Sequence, residues 1–127
     1  MSFRPPRSLP ILTLFHNYQS EKSKAALALL QSKQKNARGD DVYRIDIIGQ
    51  NEAPTDTQLN QVASFLGSPN AWKDMVQEQE VESVQDALHV IQANPGLLRR
   101  PIVVDWEKGK AAMGSRTIEQ LIQERSL

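Results

Sequence analysis

The chain predicts an α/β domain built on one small mixed sheet. Its apolar segments run in the order β-α-β-α-α-β-β-α. The opening β-α-β unit is short, which makes its two strands parallel through a right-handed crossover. Near the end, Gly109 sits between two short apolar runs and turns the last two strands into an antiparallel hairpin. A sheet layered with helices is the simplest way to bury the faces that these segments present.

Each element has its own signature. Ile11-Leu12-Thr13-Leu14-Phe15 is apolar on both faces apart from one Thr, as a buried central strand should be. A polar loop, His16-Asn17-Tyr18-Gln19, leads to a helix with Ser20 in the N-cap position and Ala26, Leu27 and Leu30 on one face. Residues 42–48 alternate, Tyr43, Ile45 and Ile47 on one side and Arg44 and Asp46 on the other, which predicts a second strand. Thr55 and Gln58 have capping-box spacing ahead of Leu59, Val62, Ala63 and Leu66, with Gly67 as the stop. Residues 68–70 (Ser-Pro-Asn) read as a turn, and Trp72, Met75 and Val76 as a short helical turn. Val81, Val84, Leu88 and Ile91 mark a longer helix whose acidic start, residues 78–82, suits the helix dipole. After Asn94-Pro95-Gly96 come the hairpin and a final helix, with Ser115 as its cap and Ile118, Leu121 and Ile122 inward.

The totals narrow the function classes. With 127 residues, the chain is long enough to bury one core without disulfides or metal. Residues 9–127 are expected to form a single domain, and residues 1–8 a disordered tail or short presequence. The first ten residues carry Arg4 and Arg7 and no acid, but Pro5, Pro6 and Pro10 oppose an amphipathic targeting helix. Fifteen basic residues balance fifteen acidic ones, so no bulk charge draws the chain to nucleic acid or to a membrane. The charge is uneven along the chain: net +6 over residues 1–38, −8 over 39–94 and +2 over 95–127. That is ordinary solubility patterning. There is no cysteine, which excludes disulfides and thiol catalysis, and two isolated histidines, His16 and His89, argue against a metal site. A monomer is expected.

Two stretches carry a family resemblance. Leu14-Phe15-His16-Asn17-Tyr18-Gln19-Ser20, with Glu21-Lys22-Ser23-Lys24 after it, resembles the strand–loop–helix start of the arsenate-reductase-like branch of the thioredoxin superfamily. Leu97-Leu98-Arg99-Arg100-Pro101-Ile102-Val103-Val104 is similar to that branch's Leu-x-Arg-Pro-Ile-Val signature. The continuation Asp105-Trp106 is more similar still to a fungal family of small mitochondrial redox proteins of the same fold. The resemblance implies a thioredoxin-like four-stranded mixed sheet in the order 2-1-3-4, flanked by helices. It also implies a cis peptide before Pro101, at the start of strand three, beside a shallow ligand groove. Mitochondrial residence follows from the resemblance alone, with the cytoplasm as the alternative.

Departures from the family are as informative. Ser20 stands where these proteins have their redox cysteine, and a hydroxyl has neither the acidity nor the redox chemistry of a thiol. Residues 87–91, where the fungal relatives' cysteine would fall, are Ala-Leu-His-Val-Ile. Arg116 comes one residue later than the reductases' arginine after the hairpin, and no arginine lies between Leu66 and Trp72. The resemblance therefore implies an oxidoreductase of small toxic molecules that lacks a thiol of its own. Ser20 reads first as a helix cap and second as what remains of a reactive position. His16, Asn17, Lys22, Arg100, Pro101 and Arg116 are the candidate ligand-binding residues, for an anion or a small thiol at the helix N-terminus. Glutathione is the candidate co-substrate, with no resident cofactor and no metal. The alternative is a non-catalytic binding or adaptor module that keeps the groove. Trp72 and Trp106 are expected to pack rather than stack on a ligand.

Overall fold

The computed structural model describes residues 9–49, 52, 54–66, 71–76 and 81–126. Its centre is a four-stranded sheet in the order β2-β1-β3-β4. Strand β1 (Ile11–Phe15) pairs parallel with β2 (Arg44–Ile48), Leu12 opposite Ile45 and Phe15 opposite Ile48. On its other side β1 runs antiparallel to β3 (Ile102–Asp105), with Leu14 opposite Val103 and Phe15 opposite Ile102. β3 turns into β4 (Lys110–Ala112) through Gly109, whose φ of +68° is a conformation that side-chain-bearing residues rarely adopt.

Strand alternation sends β1 and β3 into two separate cores. Leu12, Leu14 and Val103 pack with Ala26, Leu30, Tyr43, Ile118 and Ile122 under helices α1 (Glu21–Ser32) and α5 (Ser115–Ser126). Phe15, Ile102 and Val104 face the opposite way, onto Leu59, Val62, Leu88 and Ile91 of α2 (Asp56–Phe65) and α4 (Val84–Ala93). A single turn, α3 (Ala71–Asp74), closes the second layer, with Trp72 packed on the core and Lys73 over its ring. The sheet thus carries an apolar layer on both faces, as the sequence pattern of β1 predicted.

Thr13, the one polar residue of β1, is buried and accepts a 2.8 Å hydrogen bond from Trp106 Nε1. One contact satisfies both polar groups and holds Trp106 as a packing residue. The Thr55–Gln58 capping box forms in full, with bonds of 3.1 and 3.0 Å. Tyr43 is fully buried, its hydroxyl donates to the Leu30 carbonyl, and burial pushes its phenol up to about 12.

Two boundaries differ from the sequence expectation. The second strand begins at Arg44 rather than residue 42, because the end of α1 holds the chain just before it. Val42 N–H donates to Gln34 O at 2.8 Å, and Gln34 Nε2 donates to Tyr43 O at 3.2 Å. Ile47, on the same side of the strand as buried Tyr43, is 37 % exposed on the edge strand β2. Helix α4 starts at Val84 because Ser83 caps it through Asp86 N; Val81 is buried ahead of the helix rather than within it. The expected tail at residues 1–8, the Gly67 stop, the turn at 68–70 and the acidic residues 78–80 lie outside the described residues.

Candidate functional site

The sheet topology gathers three chain segments at one end. Pairing of Phe15 with Ile102 sets the loop after β1 against the start of β3. His16 N–H donates to Ile48 O at 2.9 Å, which ties the same loop to the end of β2. The Arg100–Pro101 peptide, which opens β3, is cis. His16, Asn17, Ser20, Gly49, Arg100 and Pro101 therefore share one corner of the molecule, where the sequence expectation placed the groove.

Ser20 is the half-buried N-cap of α1. Its hydroxyl accepts from Ser23 N–H at 3.3 Å, its own N–H donates to Asn17 O at 3.0 Å, and its carbonyl accepts from Lys24 N–H at 3.0 Å. These are the contacts of a cap. Asn17 Oδ1 accepts from Gln19 N–H at 2.9 Å and tightens the loop before it.

His16 does not address Ser20. It is 1 % exposed, and its Nδ1 lies 2.5 Å from Oγ of Ser23, a fully buried residue. The Ser23 hydroxyl also accepts from Asn17 N–H at 2.9 Å, so it joins the His16 ring to the loop backbone. Burial, reinforced by the positive charge of Lys24, lowers the His16 pKa and keeps the ring neutral. Tyr18 stands 59 % exposed at the rim, edge-on to the His16 ring at 4.5 Å. Among the described residues, the only serine bonded to His16 is thus shut away from solvent, and no accessible Ser–His pair exists here for nucleophilic attack.

Arg100 differs most from its expected role. Its side chain is 7 % exposed and turned inward. Nη1 donates to the carbonyls of Pro95 (2.8 Å) and Leu98 (2.9 Å), and Nη2 to the carbonyl of Gly49 (3.3 Å). The guanidinium ties the turn at Pro95–Leu97 and the end of β2 to the entrance of β3. Burial lowers its pKa, and among the described residues its Nε has no partner. Arg99, by contrast, is exposed and donates to Asp74 O at 2.7 Å.

Two other candidates sit on the α1–α5 layer. Lys22 is exposed and lines a cavity of about 140 Å³ between the helices, together with Ala26, Leu29, Ser115 and Ile118. Arg116 is exposed in the first turn of α5, and among the described residues no hydrogen bond joins it to the loop at 16–20. Among the described residues there is no cluster of three or more His, Asp or Glu able to hold a metal ion, and no helix long and apolar enough to cross a membrane.

Ser23 is the residue that the sequence reading passed over. A signal was present: Ser23 falls on the same face of α1 as Ala26 and Leu30, and a hydroxyl on a buried stripe must find a partner. The role of the Gly49 carbonyl had no such signal, because its partner is 51 residues away.

Comparisons with known proteins agree with this architecture. An arsenate reductase from Vibrio cholerae superposes with a TM-score of 0.69 at 23 % identity, covering 91 % of this chain and 98 % of that one. A possible arsenate reductase from Streptococcus mutans gives a TM-score of 0.62 at 17 % identity, covering 90 % and 98 %. At these identities the likeness establishes the thioredoxin-like fold and nothing beyond it. No curated protein matches the sequence. Residues 3–114 match the family described as proteins of unknown function, DUF1687, and the chain belongs to that family.

Proposed function

We propose that this protein acts as a ligand-binding member of the thioredoxin-fold redox proteins, taking a small thiol such as glutathione into the corner between Ser20 and Pro101. The observation that carries the reading is the convergence of the capped N-terminus of α1, an exposed Tyr18 and the entrance to β3 in a chain without cysteine. Any sulfur chemistry then belongs to the ligand, which brings the thiol that position 20 lacks. The N-terminus of α1 favours the ligand's carboxylates by about 0.3–1 kcal/mol, with Lys22 adding charge from the same turn. Arg100 contributes backbone and shape rather than a free cation. The likeness to arsenate reductases supports a redox role only at the level of fold.

The test is a glutathione titration followed by backbone NMR. Shifts at the amides of Ser20, Lys22, Arg100 and Ile102 are expected, and an unchanged spectrum at millimolar glutathione would sink the reading. Mitochondrial residence forms part of the proposal and is checked by imaging a fluorescent fusion of the full chain.

A second reading is favoured by the internal pairing of the polar side chains. His16 is bonded to Ser23 and Arg100 to three carbonyls, which suits a non-catalytic adaptor that docks a protein at the same corner. Its mark is a stable partner whose binding is lost in Tyr18→Ala, with glutathione producing no NMR response.

A further inference from the structure

Strand β2 ends the sheet, and among the described residues no strand covers its outer side. Arg44 N–H donates to Pro10 O and Ile48 O accepts from His16 N–H, both at 2.9 Å. Residues 44, 46 and 48 therefore turn their backbone groups toward β1, and by alternation Ile45 and Ile47 turn theirs outward. Gln34 closes this rim only at Tyr43. The exposed side chains are just as ordered. Arg44 and Asp46 project from one face, and among the described residues neither makes an ion pair. Half-buried Ile45 and exposed Ile47 project from the other.

We propose that two copies of this chain pair through β2, antiparallel, about a two-fold axis at Ile45, so that the sheet continues across a dimer. The charges choose the register. Centred on Ile45, Arg44 of each copy stands opposite the partner's Asp46, so both cross-strand pairs are of opposite sign. The two Ile45 residues then exchange N–H···O bonds, since both aim their backbone outward. Centring on Asp46 would set two carboxylates face to face. Centring on Ile47 would set Asp46 opposite Ile48 and carry Arg44 past the end of the partner's strand, so no charge would meet its opposite. Edge strands with charges of one sign keep copies apart; a strand reading plus–apolar–minus about its own centre complements itself. This inference replaces the monomer expected from sequence and does not depend on the ligand reading.

The experiment is sedimentation velocity of the full chain, up to concentrations on the order of 1 mM. Reversible dimerisation is expected, weakened roughly tenfold or more in Arg44→Asp and in Asp46→Arg, each of which sets like charges opposite one another. The double variant R44D/D46R exchanges the signs and should restore association. Both positions are exposed, so thermal unfolding of dilute variants verifies that they fold. Amide hydrogen exchange at Ile45 and Ile47 should slow as concentration rises. A chain that stays monomeric throughout, a dimer indifferent to both reversals, or a folded double variant that fails to recover would overturn the proposal. Full protection of Ile45 and Ile47 in dilute monomer would overturn it too, because the chain's own residues would then cover the edge.

Discussion

Replacing Ser23 by Ala should destabilise the protein far more than replacing Ser20 by Ala, although it is Ser20 that the sequence resemblance singles out. The Ser23 hydroxyl is fully buried and serves two groups at once, His16 Nδ1 at 2.5 Å and Asn17 N–H at 2.9 Å. Its removal leaves a buried ring nitrogen and a part-buried amide without partners, at about 1–3 kcal/mol for each unsatisfied group. Allowing for partial relaxation, the loss is about 2–4 kcal/mol. Ser20 makes one longer cap bond of 3.3 Å in a half-exposed position, so its removal costs about 0.5–1 kcal/mol. In a chain of this size 1 kcal/mol moves Tm by about 3–5 °C. Ser23→Ala should therefore melt about 6–20 °C below the parent, and Ser20→Ala about 1.5–5 °C below it. Differential scanning calorimetry of the two variants side by side is the assay. A Ser23→Ala protein melting within about 1 °C of the parent would refute the hydrogen-bond assignment around His16.

Three further outcomes follow from the same geometry. Because burial depresses the pKa of His16 from its ordinary value of 6.5, the unfolded chain binds that proton more readily. Its contribution is fully present above the unfolded value and is lost as pH falls toward the folded one; His16→Gln should flatten this part of a Tm-versus-pH curve. Tyr43 has the opposite shift, up to about 12, so stability falls as pH rises above the ordinary value of 10.0. Tyr43→Phe should remove that alkaline loss while lowering stability at neutral pH by about 1 kcal/mol through the vacated Leu30 carbonyl. Arg100→Lys should be nearly as destabilising as Arg100→Met, by about 2–4 kcal/mol in urea unfolding, since a single ammonium cannot span the carbonyls of Pro95, Leu98 and Gly49. Full rescue by Lys would refute that bridging role.

The elements were legible because their causes are local. Thr55 and Gln58 are three residues apart, so a capping box can be read directly, and the apolar run of β1 declares a strand buried on both faces. Ser20 was legible as a cap for the same reason. Arg100 was not legible in its role: a cation beside a proline suggests an exposed ligand contact. Only the fold brings Gly49, Leu98 and Pro95 within reach of its guanidinium. His16 and Ser23 were each visible, but their pairing depends on how the loop closes onto α1.

By itself the sequence determined the lack of a cysteine, the order of the elements and the family motifs, since composition and short-range spacing set all three. The tertiary structure alone decided which polar groups remain free at the corner where those motifs meet. Burial decides this: a side chain shut off from water must bond to whatever the fold brings near it. For His16 and Arg100 those partners come from inside the protein. Ser20, Tyr18 and the open edge of β2 are left to meet what comes from outside.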